Sequence, residues 1–167
     1  MLYFIADTHF SDPNILMISR QQFKTENEMN YTIVNNWNNV VTDNDIVYHL
    51  GDIGDYDFLK KLNGDIRIVL GNHDNYDEIK AKYPDMKIYD KPILEKYYFL
   101  SHEPIGFIPG DCPFLNIHGH LHNFNYSMGY AKGWYEGNRY FNVSCEQINY
   151  TPISEVEIMQ KLGYKKL

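Results

Sequence analysis

Short apolar runs punctuate the chain, and most of them stop at a cluster of polar residues. LYFIA, DIVYHL, IRIVL, YYFL, FLNI and YFNV have the β-branched and aromatic composition of strands. In the first half they alternate with segments of helical period. The clearest runs from Thr25 to Val41, where Met29, Ile33, Trp37 and Val40/Val41 recur at helical spacing and Thr25 with Glu28 forms a capping-box pattern. Shorter helices are expected at Tyr56 to Leu62, Tyr76 to Tyr83 and Ser154 to Leu162, the last following Pro152. Strands alternating with helices predict an α/β layered fold with some parallel pairing. The second half is poorer in helices, which predicts antiparallel pairing there.

With 167 residues, no repeat and no Pro/Ser-rich linker, one domain spanning 1–167 is the expectation. At this size folding buries roughly two thirds of the surface exposed by the unfolded chain, so no metal or disulfide staple is needed for a core. Cys112 and Cys145 form no CxxC pair and are expected to be packed thiols. The formal charge of −7 disfavours extended nucleic acid and anionic membranes as partners, since both require clustered Lys and Arg. MLYFIAD lacks the basic n-region of a signal peptide, and no apolar stretch has transmembrane length. A cytoplasmic location is therefore expected.

The polar clusters carry the chemistry. LYFIA runs into Asp7 and His9, DIVYHL into Gly51-Asp52, IRIVL into Gly71-Asn72-His73-Asp74, YYFL into Ser101-His102, and FLNI into His118-Gly119-His120-Leu121-His122. Asp7 and His9, two apart on an extended segment, are expected to share one face. Ligands in open α/β sheets bind beyond the carboxyl ends of strands, so five clusters there point to one crevice. Asp7, His9, Asp52, Asn72, His102, His120 and His122 offer imidazole nitrogens and oxygens but no thiolate, a donor set suited to Mn, Fe, Zn or Ni, with Mn favoured. Seven donors exceed one tetrahedral ion. With one carboxylate bridging, they divide between two divalent ions, and two ions about 3.5–4 Å apart are the recurrent apparatus of phosphoryl hydrolysis. Gly51, Gly71 and Gly119, each just before a donor, are expected to let the backbone approach ions or phosphate closely.

The series DTH at 7–9, GD at 51–52, GNHD at 71–74, His102 and GHLH at 119–122 resembles the five-block pattern of calcineurin-like metallophosphoesterases. The segment NVSCEQINYTPISEVEIM is similar to the corresponding part of small bacterial and phage members. The resemblance implies a sandwich of two β-sheets flanked by helices. It implies one ion held by Asp7, His9, Asp52 and His122, and another by Asp52, Asn72, His102 and His120. It further implies attack by a metal-bridging hydroxide on a phosphodiester, with His73 protonating the leaving oxygen and Asp74 orienting the His73 ring. A phosphomonoesterase, or a noncatalytic metal-binding scaffold, are the alternatives. The expected substrate is a small phosphoester, with nucleotide-derived ones among the candidates.

Two departures bear on substrate. GDIGDYD and GNHD stand where protein serine/threonine phosphatases carry GDxVDRG and GNHE, which disfavours a protein phosphatase. His9-Phe10-Ser11-Asp12 stands where many small relatives read HFGH, which removes a histidine from position 12. His49 and His118 are expected to be packed or supporting histidines, and Asp45, Asp55 and Asp57 solvated loop acids. Arg20, Lys24 and Arg139 are expected to be surface charges. The aromatic segment 123–141 is expected to form a hairpin covering a sheet edge.

Overall fold

The computed structural model describes residues 1–106, 108, 112–124 and 139–164. In chain order the first elements are β1 (Leu2–Ile5), α1 (Pro13–Ile18), α2 (Glu26–Val40), β2 (Ile46–His49), β3 (Asp65–Val69), α3 (Tyr76–Lys82) and β4 (Lys87–Tyr89). There follow β5 (Ile93–Glu95), β6 (Tyr98–Leu100), β7 (Leu115–His118), β8 (Tyr140–Asn142), β9 (Ile153–Ser154) and α4 (Glu155–Lys161). The strands form two sheets, ordered β4-β3-β2-β1-β9 and β5-β6-β7-β8, with helices flanking them.

Every residue of β1 and of β7 is buried, as strands covered on both faces must be. The two sheets meet in one apolar cluster, where Phe4 of β1 stacks on Tyr48 at 6.2 Å and meets Tyr98 of β6 edge-on at 5.8 Å. Helix α2 buries Met29, Ile33 and Trp37, the stripe its period announces. Its start differs slightly from a capping box. Thr25 Oγ1 accepts from Glu28 N (3.1 Å), but the Glu28 carboxylate accepts from Lys24 N (2.8 Å), one residue earlier than the motif requires. Helix α4 makes the full reciprocal box between Ser154 and Glu157.

Strands β1, β2, β3 and β4 run parallel, so β1, β2 and β3 deliver their carboxyl ends to the same edge. In the other sheet the antiparallel expectation holds for β5–β6 alone; β6–β7 and β7–β8 are parallel. Parallel pairs need long crossovers, and the segments after β6 and β7 supply the length without helices among their described residues. The expected helix at Tyr56 to Leu62 is a 3₁₀ helix, Tyr56–Lys61, opened by the Asp55 carboxylate accepting from Asp57 N. Helix α1 and strands β4, β5 and β9 are additions to the expected elements, although α1 carries a legible start in Asp12 as cap and Pro13 in its first turn. Within 123–141, residues 125–138 and the hairpin expected of them lie outside the described residues. Among the described residues no helix is long and apolar enough to cross a membrane.

Candidate metal centre

The exits of β1, β2, β3, β6 and β7 bring the seven expected donors together. Asp7, His9 and His122 form one group and Asp52, His102 and His120 a second, with donor atoms in each lying within 4.8 Å of one another. Asn72 joins the second, its Oδ1 lying 2.9 Å from His102 Nε2 and 3.0 Å from His120 Nδ1. Asp52 Oδ2 stands between the groups, 3.3 Å from His102 Nε2 and 3.7 Å from His9 Nε2. His73 is exposed at the rim, its ring 5.8 Å from that of His9.

The donors are aimed by the backbone in a way strand alternation does not explain. β1 ends at Ile5, and Asp7 (φ 57°) and His9 (φ 46°) both occupy the left-handed region, as do Asp52 (57°), His120 (69°) and His122 (44°). Asp7 and His9 therefore do not share the face of an extended strand; Asp7 groups with His122, while His9 also faces Asp52. Each such conformation costs about 1–3 kcal/mol and persists only where its surroundings enforce it. Here the exit of β1 is zipped to the exit of β2 by Asp7 N to Gly51 O (2.9 Å), His9 N to Asp52 O (3.0 Å) and Phe10 N to Ile53 O (2.8 Å). His120 N donates to Asp7 Oδ2 at 2.9 Å. Gly71 and Gly119 leave room for donor side chains. A Cβ on Gly71 would stand 2.2 Å from Asp52 Oδ1, and one on Gly119 2.6 Å from Asp7 Oδ2.

Asp74 has a different task from the expected one. Its Oδ2 accepts from Asp52 N (2.8 Å) and Gly71 N (2.9 Å), and its Oδ1 from Ile53 N (3.1 Å). The carboxylate holds the loop that presents Asp52 and makes no hydrogen bond to the His73 ring. The His73 N–H donates to Asp52 Oδ1 at 3.0 Å, which leaves Oδ2 turned toward both groups.

The electrostatics fit cations. Three carboxylates with side chains almost wholly buried, Asp7, Asp52 and Glu146, line the site, and among the described residues only Glu146 pairs with a guanidinium, that of Arg20. Burial pushes Asp7 up to about 6, even against the lowering pull of His122 and His102. Burial alone would lower His102, yet its hydrogen bond to Asp52 and the charges of Asp7 and Asp52 raise it to about 9. His9 Nε2 is buried without any hydrogen-bond partner, 3.7 Å from Asp52 Oδ2. The mutual spacings of 2.9–3.1 Å among Asn72 Oδ1, His102 Nε2 and His120 Nδ1 are those of neighbouring ligands around an ion with bonds of about 2.1 Å.

His49 is a supporting residue, as expected. Its Nδ1 accepts from Gly51 N (3.2 Å), so Nε2 carries the proton and donates to Thr8 Oγ1 (2.9 Å), which in turn donates to Ile53 O. Burial holds its pKa down at about 3. His118 is likewise buried, its Nδ1 2.9 Å from Gly119 O, and burial lowers it to about 4. Asp45 is not a solvated loop acid; it is buried and accepts from Thr42 N and Oγ1.

Arg20 is not a surface charge. It is fully buried, donating through Nη1 to Thr8 O (2.8 Å), through Nη2 to Asp7 O, and through Nε to Glu146 Oε1 (2.7 Å). The same Glu146 oxygen lies 3.0 Å from His122 Nδ1. Burial would raise Glu146, but its hydrogen bond with His122 and the charge of Arg20 bring it down to about 2. Asp12, where relatives were expected to offer a histidine, lies 3.2 Å from His9 Nδ1 through Oδ2. Neither acid is a candidate on spacing alone, because each acts on a donor's far nitrogen.

The family model described as calcineurin-like phosphoesterase matches residues 2–156. The uncharacterised protein MJ1445 of Methanocaldococcus jannaschii is 36% identical over 169 residues, covering 96% of this chain and 90% of its own length. The crystal structure of AQ665 from Aquifex aeolicus, a protein of unknown function, aligns with a TM-score of 0.73 at 32% identity, covering 96% of this chain and 98% of that one.

Proposed function

Because the chain belongs to the calcineurin-like phosphoesterase family, we propose that it is a dinuclear metal-dependent phosphodiesterase acting in the cytoplasm on small, nucleotide-derived esters, with Mn²⁺ the favoured ion. The observation that carries the two-ion reading is Asp52 Oδ2, one carboxylate oxygen facing His9 on one side and His102 on the other. Asp7, His9, Asp52 and His122 would hold one ion, and Asp52, Asn72, His102 and His120 the other. Bound there, two cations supply an activated water and positive charge for the phosphoryl oxygens.

The protein's own part is to position and to move a proton. The zipped exits of β1 and β2 and the Asp74 clamp keep the donors convergent before any ligand arrives, so binding does not have to order them. His73, exposed and free of hydrogen bonds through its ring among the described residues, is available to an ester's leaving oxygen. An imidazole there protonates a poor alkoxide near neutral pH. The net charge of −7 supports a small substrate over a long polyanion.

The test is hydrolysis of bis-p-nitrophenyl phosphate and of p-nitrophenyl phosphate by metal-stripped protein, with and without Mn²⁺, beside Asp52→Asn. Mn²⁺-dependent diester turnover that Asp52→Asn abolishes is expected. Turnover confined to the monoester refutes the diesterase assignment, and metal-replete protein inactive on both refutes catalysis on these esters.

A further inference from the structure

We propose that Glu146 and Asp12 are positioning residues for one cation, the one held by Asp7, His9 and His122, and that Arg20 ties Glu146 to the turn that carries Asp7 and His9. The inference rests on the metal-binding reading above but goes beyond its ligand set.

The two groups of donors are supported differently. His9 turns Nε2 into the centre and sets Nδ1 3.2 Å from Asp12 Oδ2. His122 turns Nε2 toward Asp7 Oδ1 (3.8 Å) and sets Nδ1 3.0 Å from Glu146 Oε1. Both imidazoles of this group thus have a carboxylate behind them. An imidazole N–H donating to a carboxylate is fixed in tautomer and ring angle, and its opposite nitrogen becomes the better donor to a metal. In the other group His102 Nδ1 faces a neutral carbonyl, Leu50 O, at 2.8 Å. His120 directs Nδ1 inward, 3.0 Å from Asn72 Oδ1. Among the described residues no carboxylate stands within 4 Å of the far nitrogen of either.

Arg20 explains why an acid can serve behind His122 in so dry a place. The Glu146 side chain is 2% exposed and that of Arg20 wholly buried. Buried ion pairs are poor devices for stability, because desolvation offsets the attraction. This one connects two loops far apart in sequence: the guanidinium that neutralises Glu146 also takes the carbonyls of Asp7 and Thr8. One side chain therefore fixes the turn that carries Asp7 and His9 relative to the acid that aims His122. Asp12 Oδ2 stands at ion-pair distance, 3.2 Å, behind His9 Nδ1, while its Oδ1 caps helix α1 through Asn14 N at 2.9 Å.

The experiment is calorimetric titration of metal-free wild-type protein, Glu146→Gln and Asp12→Asn with Mn²⁺, each checked first by thermal melting without metal. Glu146→Gln keeps an acceptor for both donors and removes the charge; Asp12→Asn keeps the helix cap. In each variant affinity for one ion should fall about 10- to 100-fold, with the other unchanged. In a His102→Ala background, which cripples the second group, the remaining ion should be the one each variant weakens. Folded variants that bind Mn²⁺ as tightly as wild type overturn the proposal. If Glu146→Gln does not fold, Asp12→Asn decides alone, and its unchanged affinity overturns it equally. A wild-type protein that binds one ion, weakened in the variants, supports the proposal while refuting the two-ion reading; no Mn²⁺ uptake at all refutes both.

Discussion

Replacing Gly71 with alanine adds one carbon at the point where the site has least room. The new Cβ would lie 2.2 Å from Asp52 Oδ1 and 2.5 Å from Asp52 N. Restoring ordinary contact requires a relative displacement of roughly 1 Å or more. Asp52 cannot give way by rotating freely, since its Oδ1 accepts from His73 N and its own N–H is held by Asp74 at 2.8 Å. The displacement therefore passes to Oδ2, the oxygen that faces both donor groups. Overpacking of this kind costs about 1–3 kcal/mol of stability, and misplacing a reacting constellation by 1 Å costs about 10²-fold in rate. We expect Gly71→Ala to stay folded, to lose about two orders of magnitude in Mn²⁺-dependent hydrolysis of bis-p-nitrophenyl phosphate, and to bind Mn²⁺ more weakly. Urea unfolding, calorimetry and steady-state kinetics measure the three effects. Gly106→Ala, where a Cβ meets nothing within 4 Å, is the control. Turnover and Mn²⁺ affinity within twofold of wild type in Gly71→Ala would refute the reasoning that steric fit at Gly71 sets the position of Asp52.

Two further expectations concern protons. His73→Ala should lose about 10²–10⁴-fold on alkyl phosphodiesters and far less on p-nitrophenyl esters, whose leaving group needs no proton; equal losses on both sink the general-acid role. His49, held near pKa 3 by burial, remains neutral in the folded protein where the unfolded chain would protonate it below about 6.5. Its contribution is complete above that value and is lost as pH falls toward 3, by up to about 1.4 kcal/mol per unit. Urea unfolding of the metal-free protein across this window should show a shallower pH slope in His49→Gln than in wild type, and identical slopes would contradict a buried neutral imidazole.

Much of this architecture is readable before any coordinates exist, and the reasons differ by residue. Met29, Ile33 and Trp37 declare α2 because burial along one helical face leaves a periodic trace. The donors are legible because their chemistry is unusual and local, a histidine or acid directly after an apolar run. The conformation that aims them is not, since alternation along a strand and a left-handed turn both bring Asp7 and His9 to the same neighbourhood. Pairing direction in the second sheet is hidden because its crossovers lack helical period in their described parts. Arg20 and Glu146 are hidden for a third reason. Their importance lies in a contact between residues 126 apart, and an isolated arginine reads as surface charge until the fold buries it.

The seam between the sheets also sets an order of events during synthesis. Ala6 N donates to Val143 O, Val143 N to His118 O and Cys145 N to Ala6 O, at 2.9, 2.7 and 3.1 Å, so the segment around residue 143 stitches the exit of β1 to the end of β7. All seven donors leave the ribosome by His122, but this stitch and Glu146 follow some two dozen residues later. At about 5–20 residues per second that gap is roughly one to five seconds. During it a nascent chain holds every donor and lacks the stitch that joins the exit of β1 to the end of β7.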